Sequence, residues 1–130
     1  MRRFMLVLGG LVLGLLLVAN VASAHIVGFD INDTAVLQSP SQVTVSGHIQ
    51  CTAGETYTIR VNLAQNDSFG RGVHRGNCSG DVQPWQVQVQ LTSGPGFSAG
   101  PATACANAGT RQPGTTHRDA VRHCETVQIV

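Results

Sequence analysis

The chain contains no lysine, and beyond Arg2 and Arg3 it sets six arginines against seven acids, a formal charge of −1 for the remainder. A domain so close to neutral exerts little long-range pull on nucleic acid or anionic lipid, so no nucleic-acid partner is expected. Aromatic residues are scarce, at 5%. Tyr57 and Trp85 fall on apolar positions of alternating segments, which leaves Phe69, in Asp67-Ser68-Phe69-Gly70, as the one obvious loop aromatic. One ring does not make a sugar-stacking platform. Segments rich in Ala, Leu, Glu and Lys are missing after the first two dozen residues, so helix is not expected there. There is no G-x-S-x-G elbow, no particular Ser set with a His and an acid, and no acid pair that the spacing singles out for glycoside hydrolysis. The sequence therefore predicts a protein that is not an enzyme and uses no cofactor.

What is present begins with an export signal. Arg2 and Arg3 are followed by an almost wholly apolar run from Phe4 to Ala22, and Ala22-Ser23-Ala24 has the small-x-small form of a cleavage site. Residues 1–24 read as a signal peptide with a hydrophobic helix, and residues 25–130 as one domain that is secreted and extracellular. The competing reading is a retained anchor, since the run is just long enough to span a bilayer. Glycines at 9, 10 and 14 and the Ala-Ser-Ala ending favour cleavage, which limits contact with membrane to the signal segment before it is removed.

The domain itself alternates with a period of two. In 42–51, Val43, Val45 and Ile49 share one side against Gln42, Thr44, Ser46, His48 and Gln50. In 56–65, Tyr57, Ile59, Val61 and Leu63 face in while Thr58, Arg60 and Asn62 face out. From Trp85 to Leu91, Trp85, Val87, Val89 and Leu91 alternate with Gln86, Gln88 and Gln90. Further strands are expected at Ile26 to Ile31, near Pro101 to Ala108, and from Ala120 to Val130, with Arg71 to Cys78 as a short edge strand. Gly, Pro, Asn and Ser clusters separate them. About seven one-sided strands predict two antiparallel sheets packed face to face, an immunoglobulin-like sandwich, with a small closed barrel as the alternative. The core would be lean in rings: Trp85, Tyr57, Phe97 and Phe29.

All four cysteines, Cys51, Cys78, Cys105 and Cys124, lie in this domain. An even number in an exported small domain predicts two disulfides, and their wide spacing does not suit zinc. Sequential pairing, Cys51 with Cys78 and Cys105 with Cys124, is preferred. Cys124 is out of phase with Val127 and Ile129, and Cys105 with Ala102, Ala104 and Ala106, so both fall on outer faces. A core-spanning Cys51–Cys105 bridge stays open as the alternative.

The runs Cys51-Thr52-Ala53-Gly54-Glu55-Thr56-Tyr57, Gly76-Asn77-Cys78-Ser79-Gly80, Gln83-Pro84-Trp85 and Gly96-Phe97 with Gly100-Pro101-Ala102 resemble a group of small exported bacterial β-sandwich proteins. The likeness spans most of the domain and rests on turns, cysteines and one tryptophan. It implies an immunoglobulin-like fold and sequential disulfides, and it implies no activity.

Candidate chemistry is sparse. Cleavage after Ala24 would make His25 the first residue, whose amine and ring nitrogen together suit copper(II), with His48, His74, His117 or His123 as a second ligand. His117, Asp119 and His123 share a strand parity, but Val121 sits between them, and they read as surface residues. Asp30, Asn32 and Asp33 read as an Asx turn rather than a calcium loop. Arg71 and Arg75, in a glycine-rich stretch, suit either an anion or a soluble sheet edge. The sequence thus predicts a secreted binding or structural module with an unknown protein or polymer partner, the alternative being copper binding through His25.

Overall fold

The computed structural model describes residues 26–130. The expected signal segment and its helix, and His25, lie outside the described residues. Among those residues the chain forms eight strands and no helix: β1 (Ile26–Ile31), β2 (Thr34–Ser39), β3 (Gln42–Cys51), β4 (Thr56–Gln65), β5 (Ser68–Asn77), β6 (Val82–Ser93), β7 (Gly100–Arg111) and β8 (Arg118–Ile129). β1, β3 and β4 match the expected bounds. β6, β7 and β8 are longer than expected, and β2 was not anticipated.

The ladder runs β3–β6–β5–β4–β7–β8–β2 and returns to β3, so seven strands close into a ring and β1 flanks β3 beside it. β1 and β2 are two halves of one run broken at Asn32–Asp33. Both lie antiparallel to β3, β1 on Gly47–Cys51 and β2 on Gln42–Thr44, and β2 then pairs in parallel with the end of β8 at Thr34↔Gln128 and Ala35↔Ile129. The two separate sheets expected of an immunoglobulin-like sandwich are therefore replaced by a closed barrel.

β5 is the strand that closes it. It pairs with β4 along its whole length and with β6 through Phe69, Gly70 and Arg71. Its inward positions include Gly70 and Gly72. A Cβ at Gly70 would lie 2.7 Å from the Gln90 carbonyl oxygen, and one at Gly72 would strike the Gln88 carbonyl. Having no side chain at these two positions lets β5 lie directly against β6. One-sided burial looks the same in a sandwich and in a barrel, so the alternation did not distinguish them.

The interior is filled by the expected residues. Val43, Val45, Ile49, Ile59, Val61, Leu63, Val87, Val89, Val127 and Ile129 are buried, and Ala102, Ala104, Ala106 and Ala108 give β7 a thin inner face. Trp85 is buried, and the Phe29 ring stacks on it with centroids 5.4 Å apart and planes within 1°. Gly47 makes room for this stack, because a Cβ there would meet Trp85 Cζ2 at 2.7 Å. Phe97 plugs one end of the barrel. Its loop is held by Gln65, whose amide donates to the Ser98 carbonyl and whose Oε1 accepts from Ser98 N, both at 2.9 Å.

The disulfides are sequential. Cys51–Cys78 is buried, and ties the end of β3 to the residue after β5. Cys105 and Cys124 are direct partners in the β7–β8 ladder and bridge across it on the outer face. Their outward direction rules out the core-spanning Cys51–Cys105 alternative.

Candidate anion-binding face

Four neighbouring strands, in the order β5–β4–β7–β8, share one outer face. The inward residues of β4 and β7 fix the phase, and the register then places every outward side chain. One row carries Asn77, Thr56, Arg111 and Arg118. The next carries Arg75, Thr58, Gly109 and Ala120, followed by Val73, Arg60, Asn107 and Arg122. Below these come Arg71, Asn62, Cys105 and Cys124, and then Phe69, Ala64, Thr103 and Thr126. All six arginines of the described residues stand on this face, and all six are exposed. No acid points outward from it. Asp30, Asp33, Glu55, Asp67 and Asp81 lie on other strands or loops, and Asp119 and Glu125 occupy the alternate positions of β8.

Among the described residues none of the six arginines forms an ion pair, whereas His48 pairs with Asp30 and His123 with Glu125. Arg111 and Arg118 are direct cross-strand partners, an arrangement of like charges that opposes folding. Arg122 Nη1 donates to Asn107 Oδ1 at 3.3 Å.

The small residues Gly109 and Ala120 keep the upper part of the face low, and a hollow of about 1090 Å³ opens there, with Arg60, Arg75, Arg111 and Arg118 among its lining. Asp119 also lines it, but its Oδ2 accepts from Ile26 N at 3.0 Å and its Oδ1 from Ala120 N at 2.9 Å. A second, smaller hollow of about 290 Å³ lies further along the same face, with Arg71, Arg122 and Phe69 in its lining.

The opposite outer face, on β3 and β6, has neither lysine nor arginine. Gln42↔Gln90, Thr44↔Gln88 and Ser46↔Gln86 are its cross-strand pairs. Gln88 Oε1 accepts from Gln42 Nε2 at 2.7 Å and from Thr44 Oγ1 at 2.9 Å, so part of this amide surface is satisfied within the sheet.

Among the described residues the candidate histidines lie apart from one another, and His25, on which the copper alternative rests, lies outside them. His48 lies on the outer side of β3, with Nδ1 3.3 Å from Asp30 Oδ1. His74 faces inward from β5, its Nε2 3.2 Å from the Tyr57 hydroxyl, and burial pushes the Tyr57 phenol above its ordinary pKa. His117 is in the β7–β8 loop, and His123 sits 2.8 Å from Glu125. No group of three metal-ligating side chains occurs among the described residues. Asp30 and Asn32 serve the chain: Asp30 Oδ1 accepts from His48 N, and Asn32 Nδ2 donates to Ser46 Oγ. Phe69 is on strand β5 rather than in a loop, and half exposed. Arg71 and Arg75 were singled out in the sequence, but the other four arginines of this face were not. Finding them needs the register of four strands.

No family model matches the chain, and no curated protein matches it. Among solved structures it is similar to AggA, the major subunit of aggregative adherence fimbriae type I from Escherichia coli, with a TM-score of 0.43 and 7% identity, covering 82% of this chain and 94% of that one.

Proposed function

We propose that this protein is an exported, non-enzymatic binding module that works through the arginine face of β5, β4, β7 and β8. The observation that carries the reading is the segregation of charge: every described arginine on one face, with no outward acid among them. Bland solvated surfaces intersperse the two signs, because adjacent like charges cost stability. A face that keeps its arginines together, at that cost, suits a ligand that supplies the missing negative charge. Two disulfides and no free cysteine fit an oxidising compartment, which supports export.

Retention on a sulfonate cation exchanger at neutral pH tests the reading. Residues 26–130 carry a formal charge of −1. A protein with that charge spread evenly flows through, whereas one with its arginines on a single face is retained. The triple variant Arg60→Gln, Arg75→Gln, Arg118→Gln should flow through. Elution of the wild type with the triple variant would overturn the reading.

A further inference from the structure

We infer that the ligand of this face is an acidic polysaccharide, laid across β5, β4, β7 and β8 with one charged group held over the Gly109–Ala120 hollow. The inference rests on the reading of the arginine face as a binding surface.

The cations are arginine without exception. A guanidinium presents a planar fork of donors that matches the oxygens of a sulfate or carboxylate two at a time, whereas an ammonium acts as a point charge. Neutral hydrogen-bonding side chains stand among the arginines, Thr56, Thr58, Asn62, Asn77 and Asn107, with Thr103 in the row beyond them. Hydroxyls and amides alternating with forked cations complement a chain of sugar rings, whose hydroxyls alternate with acidic groups. The face spans three strand intervals of about 4.8 Å, roughly 14 Å across, and five rows along the strands, each about 6.7 Å from the next. That is room for several rings.

The same residues speak against the other large polyanions. Single-stranded nucleic acid is held by rings on which successive bases stack. Here Phe69 is the sole outward aromatic and lies in the row furthest from Arg111 and Arg118, while Tyr57, which lines the hollow, is buried with its hydroxyl on inward His74. Duplex DNA is read by a helix or ribbon that enters a groove. This surface is recessed where its arginines cluster, with Gly109 and Ala120 as the low points between Arg75, Arg60, Arg111 and Arg118. A hollow of this kind takes a projecting acidic group and its sugar ring, with forks closing on it from both sides.

Titration of the folded domain with heparin, polygalacturonate, neutral dextran and a deoxythymidine oligonucleotide tests the inference. Heparin offers sulfate and carboxylate, and polygalacturonate carboxylate alone, so these two arms identify the acidic group. Binding to at least one of them is expected, with no binding to dextran and at least tenfold weaker binding to the oligonucleotide. Each Arg→Gln change should lower the slope of log affinity against log salt by about one, as the release of one fewer counterion requires. Ala120→Trp keeps all six charges and fills the hollow. It should weaken polysaccharide binding at least tenfold while leaving retention on the cation exchanger intact. Thr58→Trp fills the hollow from the neighbouring strand and should do the same. Equal binding of oligonucleotide and polysaccharide, or unchanged affinity in both tryptophan variants, would overturn the inference and leave the arginine face standing. Loss of exchanger retention in the wild type would remove the face itself.

Discussion

Replacing Arg118 by glutamine should stabilise this protein while weakening its binding. Arg118 stands directly across the ladder from Arg111, and the one acid lining their hollow, Asp119, accepts from the Ile26 and Ala120 amides. Direct cross-strand partners have Cβ atoms about 5 Å apart, and two like charges held about 6 Å apart in a solvent-like dielectric repel by about 0.7 kcal/mol unscreened. A Debye length near 8 Å at 0.15 M salt reduces this to about 0.3 kcal/mol, and one near 30 Å at 0.01 M leaves about 0.6 kcal/mol. For a domain of about 100 residues, those energies correspond to a rise in Tm of roughly 1.5–3 °C, larger at low salt. Thermal melts of the wild type, Arg111→Gln, Arg118→Gln and the double variant, at both salt concentrations, form a cycle whose coupling should be repulsive and should shrink as salt is added. A fall in Tm on Arg118→Gln, or a coupling indifferent to salt, would refute the account of this face as electrostatically frustrated.

Three further outcomes follow from the structure. Gly72→Val should drive a side chain into the Gln88 carbonyl and prise β5 from β6, at a cost of about 3 kcal/mol in chemical denaturation followed by the emission of the single tryptophan, Trp85. By the loop-entropy model the two disulfides, with separations of 27 and 19 residues, contribute about 3.5 and about 3.3 kcal/mol. Replacing Cys51 and Cys78 with alanine should nonetheless cost clearly more than replacing Cys105 and Cys124, because only the first pair is packed in the core. Tyr57 is the one tyrosine, so tyrosinate absorbance reports on it alone. Burial raises its folded pKa, so above about pH 10 the unfolded chain releases the phenolic proton before the folded one does, and stability should fall as pH rises through that range. A normal titration midpoint in the folded protein would contradict its burial.

The strands were legible wherever an alternating apolar series announced them. Tyr57, Ile59, Val61 and Leu63 identify β4, and Trp85, Val87 and Val89 identify β6, because each pattern is local. β5 has the same alternation, but Gly70, Gly72 and Gly76 occupy inward positions and present nothing apolar to read. It therefore resembled a glycine-rich edge, which left the closed barrel as the alternative to a sandwich rather than the first reading. β2 is short and bounded by Asp33 and by Ser39-Pro40, and it is defined by its pairing with β3 and β8 rather than by its own composition. The outward phase of Cys105 and Cys124 was visible in their parity, and the structure places them as direct ladder partners.

The arginine face was hidden for a different reason. Net charge adds signs without regard to place, so six arginines and seven acids register as near neutrality. The register of β5, β4, β7 and β8 is what gathers Arg60, Arg71, Arg75, Arg111, Arg118 and Arg122, drawn from positions up to 62 residues apart in sequence, into one surface. Closing a sheet is a non-local event, and so is the field that the closed sheet displays.

Side-chain NMR gives the most direct test, with the arginine Nε–H and glutamine amide signals followed as a sulfated or carboxylated polysaccharide is added. The account predicts that the signals of Arg60, Arg75, Arg111 and Arg118 move together and saturate, while the amides of Gln86, Gln88 and Gln90 on the opposite face stay still. Movement confined to the glutamine face, or arginine signals unchanged at saturating polysaccharide, would contradict it.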